Sequence, residues 1–207
     1  MPENLHKLFV ISSPSGGGKT SLINKVFEDS RSAHFEKSIS DTSRQKRQGD
    51  LEGKDYYFLS EKDFKEKIKK EEYVEYATVF GNFYGTSKNE IKTKYNNSNL
   101  VLELDWQGAY AVKKLFDDAK LIFLVPPSLD DLKQRLIKRN LDSSESIENR
   151  LSEAKKEISK SEMYDFLVLN DDFDRAFEDL SQILFKGISS KDFNSRVSKD
   201  LIERLVE

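Results

Sequence analysis

Residues 12–21 read Ser-Ser-Pro-Ser-Gly-Gly-Gly-Lys-Thr-Ser; they follow the apolar run Leu8–Ile11 and precede residues 22–27, whose apolar side chains fall on one helical face. Strand, glycine-rich loop and helix in this order are typical of a phosphate-binding loop, whose backbone N–H groups surround a di- or triphosphate. In such a loop Lys19 reaches the β and γ phosphates, and the Thr20 hydroxyl holds Mg²⁺. The stretch therefore predicts an enzyme that uses a nucleotide.

One position of this loop departs from the usual pattern. The motif has glycine, four residues, glycine, lysine and then serine or threonine, and Ser13 stands where the first glycine belongs. A serine adopts the position without large strain if its φ is negative. A glycine-rich turn with a surface lysine is the alternative interpretation, but the order of strand, loop and helix favours the phosphate loop. The residues that we expect around the donor phosphates are Ser13, Pro14, Ser15, Gly16, Gly17, Gly18, Lys19, Thr20 and Ser21.

Length and composition exclude several classes of protein. A chain of 207 residues is long enough for one domain, or for a core with small inserted lobes. Charged residues make up 34% of it and the net charge is -3, so we expect neither nucleic acid nor an anionic membrane as a partner. The lack of cysteine and the wide separation of His6 and His34 argue against disulfides, zinc and Cys/His catalysis. No apolar run has the length of a signal peptide or a membrane span, so the expected location is the cytoplasm.

The core is predicted to be an α/β fold. Helical patterns separate four continuous apolar runs, a pattern typical of strands that are buried on both faces of a sheet. Because strand and helix alternate, we expect a parallel sheet flanked by helices, as in the P-loop NTPase fold. The predicted strands are Leu8–Ser12, Leu100–Leu104, Leu121–Val125 and Phe166–Leu169.

Two segments interrupt this core. Residues 38–92 contain short polar and aromatic strands and a helix that opens with a capping box from Ser60 to Asp63, which indicates an inserted lobe. Residues 128–162 have the pattern of two helices joined by a polar turn, and their lysines and arginines predict a mobile lid at the carboxyl edge of the sheet.

The rest of the chain, residues 1–37, 93–127 and 163–207, is assigned to the core. Its last part, Phe193–Val206, has apolar residues at near-helical spacing. This segment could dock on the core or on a second subunit of a homo-oligomer, and the sequence leaves both open.

A nearly neutral chain must supply the positive charge for phosphoryl transfer from a few placed arginines. Arg44 and Arg47 lie in a hydroxyl-rich stretch of the predicted lobe. Arg135, Arg139 and Arg150 lie in the predicted lid, whose closure would bring them to the transferred group as cis arginine fingers. A solvated basic loop and surface salt bridges are the alternatives for these side chains.

Carboxylates suit a guanine base, because its N1–H and exocyclic NH₂ are adjacent donors, whereas N1 of adenine is an acceptor. Glu75 and Asp105 are the candidates, although the end of a surface helix is the alternative for Glu75. Asp105 follows a strand at a position that in P-loop proteins often serves Mg²⁺ or its water shell. Glu103 is placed equally well for that purpose, so the metal-linked role stays open between Glu103 and Asp105.

From Leu8 to Phe185 the chain resembles the guanylate kinases, which transfer the γ-phosphoryl group of ATP to GMP. The phosphate loop is similar to that of the family. Residues 40–56 are similar to its GMP-binding signature, with paired hydroxyls, two arginines three positions apart and a glycine before a tyrosine. The resemblance implies ATP with Mg²⁺ as the donor and GMP, or dGMP, as the acceptor.

The same resemblance implies roles for individual residues. It assigns the GMP phosphate to Arg44, Arg47, Tyr56 and Tyr84. It assigns the guanine base to Ser40, Glu75, Thr86 and Asp105. It places Arg139 and Arg150 on the phosphates, with Lys19 and Arg44 as their catalytic partners, and it places Asn170 and Asp171 near the adenine of ATP.

Departures from the family signature leave the chemistry intact. Lys46 stands where the signature often has proline, and Asp50 replaces the usual glutamate. Neither change removes a group that the reaction needs. Two alternatives to a GMP kinase are a P-loop kinase with another acceptor, against which Glu75, Thr86 and Asp105 argue, and a non-catalytic module like those of scaffold proteins, against which the intact phosphate loop argues.

Overall fold

A computed structural model of the chain describes residues 7–79, 81–138 and 144–207. The strands are β1 (Leu8–Ser12), β2 (Phe35–Lys37), β3 (Asp41–Thr42), β4 (Tyr57–Phe58), β5 (Tyr73–Val79), β6 (Asn82–Ser87), β7 (Asn99–Glu103), β8 (Lys120–Val125) and β9 (Phe166–Leu169). The α-helices are α1 (Lys19–Glu28), α2 (Glu61–Lys69), α3 (Lys88–Tyr95), α4 (Trp106–Leu115), α5 (Leu129–Lys138), α6 (Ser144–Ile158), α7 (Phe173–Leu184) and α8 (Lys199–Val206). Short 3₁₀ helices occupy Ser30–His34 and Ser161–Met163.

The core is a five-stranded sheet in the order β2-β7-β1-β8-β9, and its strand pairs are all parallel. This confirms the parallel α/β architecture, and the four predicted strands are present within one residue at each end. The sheet also contains β2, which the sequence did not predict. Its residues, Phe35-Glu36-Lys37, are too few and too polar to form an apolar run, because β2 lies at an edge of the sheet.

Helices cover both faces of the core sheet. On one face α1 and α7 bury Leu22, Ile23 and Leu180 against the strands. On the other face α3, α4 and α8 bury their apolar residues, among them Ile91 and Leu205. The loop of residues 12–21 emerges from the central strand β1 at the carboxyl edge of the sheet.

Between β2 and α3 the chain forms a second, four-stranded sheet in the order β4-β3-β6-β5. Helix α2 closes it, and Ser60 caps that helix by accepting the N–H of Asp63 at 3.1 Å, as the sequence predicts. Phe64 of α2 is fully buried, with its ring centroid 4.5 Å from that of Tyr73 and 5.3 Å from that of Phe83. This aromatic stack gives the second sheet a small core of its own.

The helices α5 and α6 form the hairpin that the sequence predicts after Pro126-Pro127. Ser128 caps α5 by accepting the N–H of Asp131 at 3.0 Å. The connection between the two helices, residues 139–143, lies outside the described residues, and Arg139 lies there too. None of the helices within the described ranges combines the length and the apolar composition that crossing a membrane requires.

The C-terminal segment docks on the core of its own chain. Helix α8 packs against α6, and Leu205 shares a buried cluster with Ile158. Before α8, the Ser195 hydroxyl donates to the carbonyl of Leu167 at 2.6 Å, along the outer edge of β9. One of the two alternatives left open by the sequence, docking on the core, is therefore observed.

Removal of the Phe64 ring tests the contribution of the aromatic stack. We expect Phe64→Ala to lower the free energy of unfolding by about 3–5 kcal/mol, because a buried phenyl ring is replaced by a cavity. Leu115→Ala, at an apolar side chain that is 56% exposed on α4, should change it by less than about 0.5 kcal/mol. Urea denaturation followed by circular dichroism measures both. An unchanged stability for Phe64→Ala would mean that the second sheet does not depend on this stack.

Candidate active site

The loop between β1 and α1 has the backbone geometry of an anion-binding turn. Gly18 is the N-cap of α1 with φ 86°, and the N–H of Gly17 donates to the carbonyl of Pro14 at 2.8 Å. Ser13 keeps φ outside the left-handed region, and its hydroxyl donates to the Pro14 carbonyl at 3.1 Å. A Cβ on Gly17 would lie 2.9 Å from the Ser13 side chain. The serine therefore fits the position of the first glycine, provided that residue 17 has no side chain.

The loop also contacts the helical hairpin directly. A Cβ on Gly16 would lie 3.1 Å from Leu136 and 3.2 Å from Leu132, both buried residues of α5. Ser15 is exposed, and its hydroxyl lies 3.4 Å from the guanidinium of Arg150 on α6. Both helices of the hairpin, α5 and α6, therefore contact the loop.

Lys19 and Thr20 begin α1, and their side chains form hydrogen bonds with residues at the end of β7. The ammonium of Lys19 donates to the carbonyl of Leu104 at 3.1 Å. The hydroxyl of Thr20 donates to Glu103 at 2.6 Å, and Ser21 next to it is exposed. Burial lowers the pKa of Lys19, although nearby carboxylates, with Glu103 first among them, oppose the shift.

The carboxylate of Glu103 contacts side chains from two other elements, Thr20 of α1 and Lys37 of β2. Its second carboxylate oxygen forms an ion pair with Lys37 at 2.9 Å. Burial opposes ionisation of this carboxyl, but the charges of Lys19 and Lys37 hold its pKa below the usual value. Glu103 therefore presents an ionised carboxylate beside the Thr20 hydroxyl.

These oxygens fit Mg²⁺, a hard cation that prefers a few protein oxygens completed by phosphate and water. Within the ranges that the structure describes, no group of three or more acidic or histidine side chains could hold a metal by itself. Asp105, the other candidate for a metal-linked role, has one oxygen engaged at the N-terminus of α4, where it accepts the N–H of Gly108 at 2.8 Å. Of the two carboxylates, Glu103 is the one in contact with Thr20.

Arg44, Tyr56 and Tyr84 form a cluster on the second sheet. The guanidinium of Arg44 lies 5.5 Å from the centroid of the Tyr56 ring, and the two tyrosine rings are 5.7 Å apart. Arg44 is paired with Asp50 at 2.9 Å, and Asp50 also accepts the backbone N–H of Arg47 at 2.7 Å. The side chain of Arg47 is exposed, outside this cluster.

Glu75 and Asp105 line one cavity of about 290 Å³ between β5 and α4. Glu75 pairs with Thr86 across β5 and β6, and the Thr86 hydroxyl is 3.4 Å from that of Ser40. Burial raises the pKa of Glu75 to about 7, and hydrogen bonds from Thr86 only partly offset it. The four residues that the resemblance assigns to the guanine base therefore lie next to one another. They are Ser40, Glu75, Thr86 and Asp105.

A second cavity of about 350 Å³ joins the phosphate loop to the second sheet. It is lined on the core side by Lys19, Thr20 and Glu103, and on the other side by Ser40 and Tyr56. Its position connects the Arg44 cluster with the phosphate loop, which is the arrangement that transfer between two bound phosphates requires.

Asn170 follows β9 and is bonded to the phosphate loop. The side-chain amide of Asn170 donates to the backbone carbonyl of Gly17 at 2.7 Å. The backbone carbonyl of Asn170 accepts from the Arg135 guanidinium at 2.9 Å. Asp171 is exposed and forms an ion pair with Arg196 at 2.7 Å. Arg135 of α5, to which the resemblance assigns no phosphate, is thus connected to the loop through Asn170.

The sequence analysis missed three charged residues near the site. Lys37 reaches Glu103 only because β2 pairs with β7, and Arg196 reaches Asp171 from the C-terminal segment. Glu157 of α6 lies close enough to Lys19 for their charges to interact, and burial raises its pKa to about 7. No local motif marks any of them, because each depends on contacts between distant parts of the chain.

Comparisons with known proteins identify the family of this chain. A family model described as guanylate kinase matches residues 5–187. The guanylate kinase of Hahella chejuensis is 47% identical over 86% of this chain and 85% of its own length, and that of the Wolbachia of Brugia malayi is 44% identical over 89% and 94%. A crystal structure of guanylate kinase from Anaplasma phagocytophilum superposes with a TM-score of 0.69 at 32% identity, over 90% of this chain and 88% of that one. With a match over nearly its whole length in both sequence and fold, the chain belongs to the guanylate kinase family.

Proposed function

We propose that this member of the guanylate kinase family, whose enzymes transfer the γ-phosphoryl group of ATP to GMP, binds its donor at residues 12–21 and its acceptor on the second sheet. The observation that carries the assignment is the cavity shared by the phosphate loop and the second sheet, with Lys19 on one side and Tyr56 on the other. Donor and acceptor phosphates would meet there.

For the donor, we infer that the backbone N–H groups of residues 13–21 surround the phosphates. The Lys19 ammonium would leave the Leu104 carbonyl for the β and γ phosphates, whose negative charge raises the pKa that burial lowers. Arg150, and Arg139 with it, would contact the same phosphates from the lid. Asn170 and Asp171 would lie near the adenine, a placement supported by the bond from Asn170 to the loop.

For the metal, we infer that the Thr20 hydroxyl is the direct ligand and that Glu103 lies next to it as an acceptor for coordinated water. Mg²⁺ bound there would neutralise charge on the β and γ phosphates. Lys37 keeps Glu103 ionised and in place, which is a positioning role.

For the acceptor, Arg44, Arg47, Tyr56 and Tyr84 would donate to the GMP phosphate. Arg44 is occupied by Asp50, so GMP must compete for its guanidinium, while the exposed Arg47 is available to move in. The base would enter the cavity of Glu75 and Asp105, where ionised Glu75 accepts from guanine N1–H and NH₂. Ser40 and Thr86 complete that pocket.

Transfer then needs no covalent enzyme intermediate. An oxygen of the GMP phosphate attacks the γ phosphorus in line, the bond to the β-phosphate oxygen breaks, and ADP leaves as GDP forms. The protein contributes position and positive charge, and closure of lid and lobe excludes water that would otherwise hydrolyse ATP. Since the reaction uses ATP and GMP, we place it in purine nucleotide metabolism in the cytoplasm, with dGMP as a second acceptor.

The direct test is ADP release, measured in a coupled assay with ATP, Mg²⁺ and each of GMP, dGMP, AMP, CMP and UMP. We expect strong release with GMP, weaker release with dGMP, and background with the others. Equal rates with AMP and GMP would reject the guanine pocket, and background rates with every acceptor would favour a non-catalytic binding module.

Lys19→Met tests the donor site. The neutral side chain cannot stabilise charge on the transferred group, so we expect GMP-dependent ADP release to fall by at least about a thousandfold. The melting temperature should stay near that of the wild type. Lys25→Met is the matched control, because Lys25 lies on the same helix in an exposed pair with Glu28. Wild-type rates for Lys19→Met would refute the assignment of the loop.

The raised pKa of Glu75 predicts a pH dependence of base binding. Only the ionised carboxylate accepts both guanine donors, and with a pKa of about 7 it is largely protonated below neutrality. Guanosine should therefore bind about tenfold more weakly at pH 6 than at pH 8. Calorimetry with guanosine avoids the phosphate group of GMP, which titrates in the same range.

Glu75→Gln is the control for this titration. Its amide presents a donor to one of the donors of guanine, so guanosine should bind roughly tenfold more weakly at pH 8 and without the rise between pH 6 and 8. If the variant kept the pH profile of the wild type, another group would be responsible and the role of Glu75 would be wrong.

A further inference from the structure

The chain continues beyond residue 187, where the match to the family model ends. In this continuation Arg196 is the side chain that reaches towards the site. Its side chain is 29% exposed, and it lies between β9 and α7 rather than on the surface of α8.

Arg196 makes hydrogen bonds with all three nitrogens of its guanidinium. One donates to the Asp171 carboxylate at 2.7 Å, and another donates to the backbone carbonyl of Leu169 at 2.9 Å. The Asp179 carboxylate of α7 accepts two more, at 3.1 and 3.2 Å. A planar donor fork bonded to three separate groups fixes their relative positions, which a single surface ion pair does not.

Two of these partners, Leu169 and Asp171, are the chain neighbours of Asn170. Asn170 in turn donates to the carbonyl of Gly17 in the phosphate loop at 2.7 Å. Its backbone N–H donates to the carbonyl of Val125 at 2.8 Å and its backbone carbonyl accepts from Arg135 at 2.9 Å, so hydrogen bonds hold the backbone that directs its side-chain amide. Arg196 therefore holds both sides of the residue that contacts the loop.

Arg196 is itself held in place by the segment around it. On its N-terminal side the ring of Phe193 packs edge-on against Phe166, with centroids 5.6 Å apart, and Ser195 is bonded to Leu167. On its C-terminal side Ser198 caps α8, which packs on α6. The guanidinium is thus held in position by contacts within the protein, which limits the entropy that nucleotide binding would cost.

We propose that Arg196 is a positioning residue for the donor nucleotide, which keeps Asn170 bonded to the phosphate loop and the turn at Asn170-Asp171 in its binding conformation. This inference rests on the proposed function, because it takes residues 12–21 and Asn170 as the ATP site. It gives the C-terminal segment a role in donor binding and none in acceptor binding.

The test compares Arg196→Gln with the wild-type chain in two measurements. Calorimetry with ADP should give about tenfold weaker binding. Steady-state kinetics should give a similar rise in KM for ATP, with KM for GMP within about twofold of wild type. Arg196→Lys keeps the positive charge but not the forked guanidinium. Its ADP affinity and its KM for ATP should lie between those of Arg196→Gln and the wild type.

Two variants control for a role in stability alone. Asp179→Asn weakens the one carboxylate contact of Arg196 that does not flank Asn170, and Arg204→Gln removes an exposed arginine paired with Asp200 on α8. Both should bind ADP within about twofold of wild type, whatever their melting temperatures. ADP affinity that follows the melting temperature across all four variants would overturn the proposal.

A double-mutant cycle with Asn170→Ala provides the decisive readout. If Arg196 acts through Asn170, the two changes together should weaken ADP binding little more than Asn170→Ala does alone. Additive effects would overturn the proposal. ADP binding does not depend on the acceptor, so a failure of GMP phosphorylation would reject the proposed function while this cycle still decides the role of Arg196. If Arg196→Gln does not fold, the cycle is run with Arg196→Lys.

Discussion

The parallel pairing of β1 with β7 is the constraint on which the rest of the site depends. It sets Ile11 opposite Glu103, so the phosphate loop that follows β1 emerges beside the carboxylates that end β7. Because both strands are buried on both faces, a shift in register would displace a continuous apolar core. The distance between Thr20 and Glu103, on which the proposed metal site depends, is therefore fixed by the packing of the sheet and not by the loop itself.

The charges of the site are paired with other groups of the protein. Glu103 lies between Thr20 and Lys37, Arg44 is bonded to Asp50, and Lys19 is bonded to a carbonyl. Each pairing prevents a partly buried charge from standing alone, and under the proposed function each is exchanged for a contact with substrate. Binding energy is thus a difference between two sets of charge-assisted bonds, which favours ligands with phosphates at the correct separation.

The sequence predicts those parts of the molecule that depend on local patterns. The order of β1, glycine-rich loop and α1, the strand Phe166–Leu169 and the cap at Ser60 follow from spacing and composition within a few residues, and the structure has them. The choice between Glu103 and Asp105 could not be made from the sequence, because both lie at the carboxyl end of the same strand and only the hydrogen bonds to Thr20 and Gly108 distinguish them. Lys37 and Arg196 were missed because the residues that they contact are distant in sequence.

The C-terminal segment covers the outer edge of β9, and this limits where the chain can be truncated. The segment that contains Ser195 and Arg196 occupies the Leu167 and Leu169 carbonyls at the outer edge of the sheet. A protein shortened to the boundary suggested by family similarity, at residue 187, would expose that edge as a free template for strands of other molecules. Its yield in solution would then report aggregation caused by the truncation, and not the stability of the kinase fold.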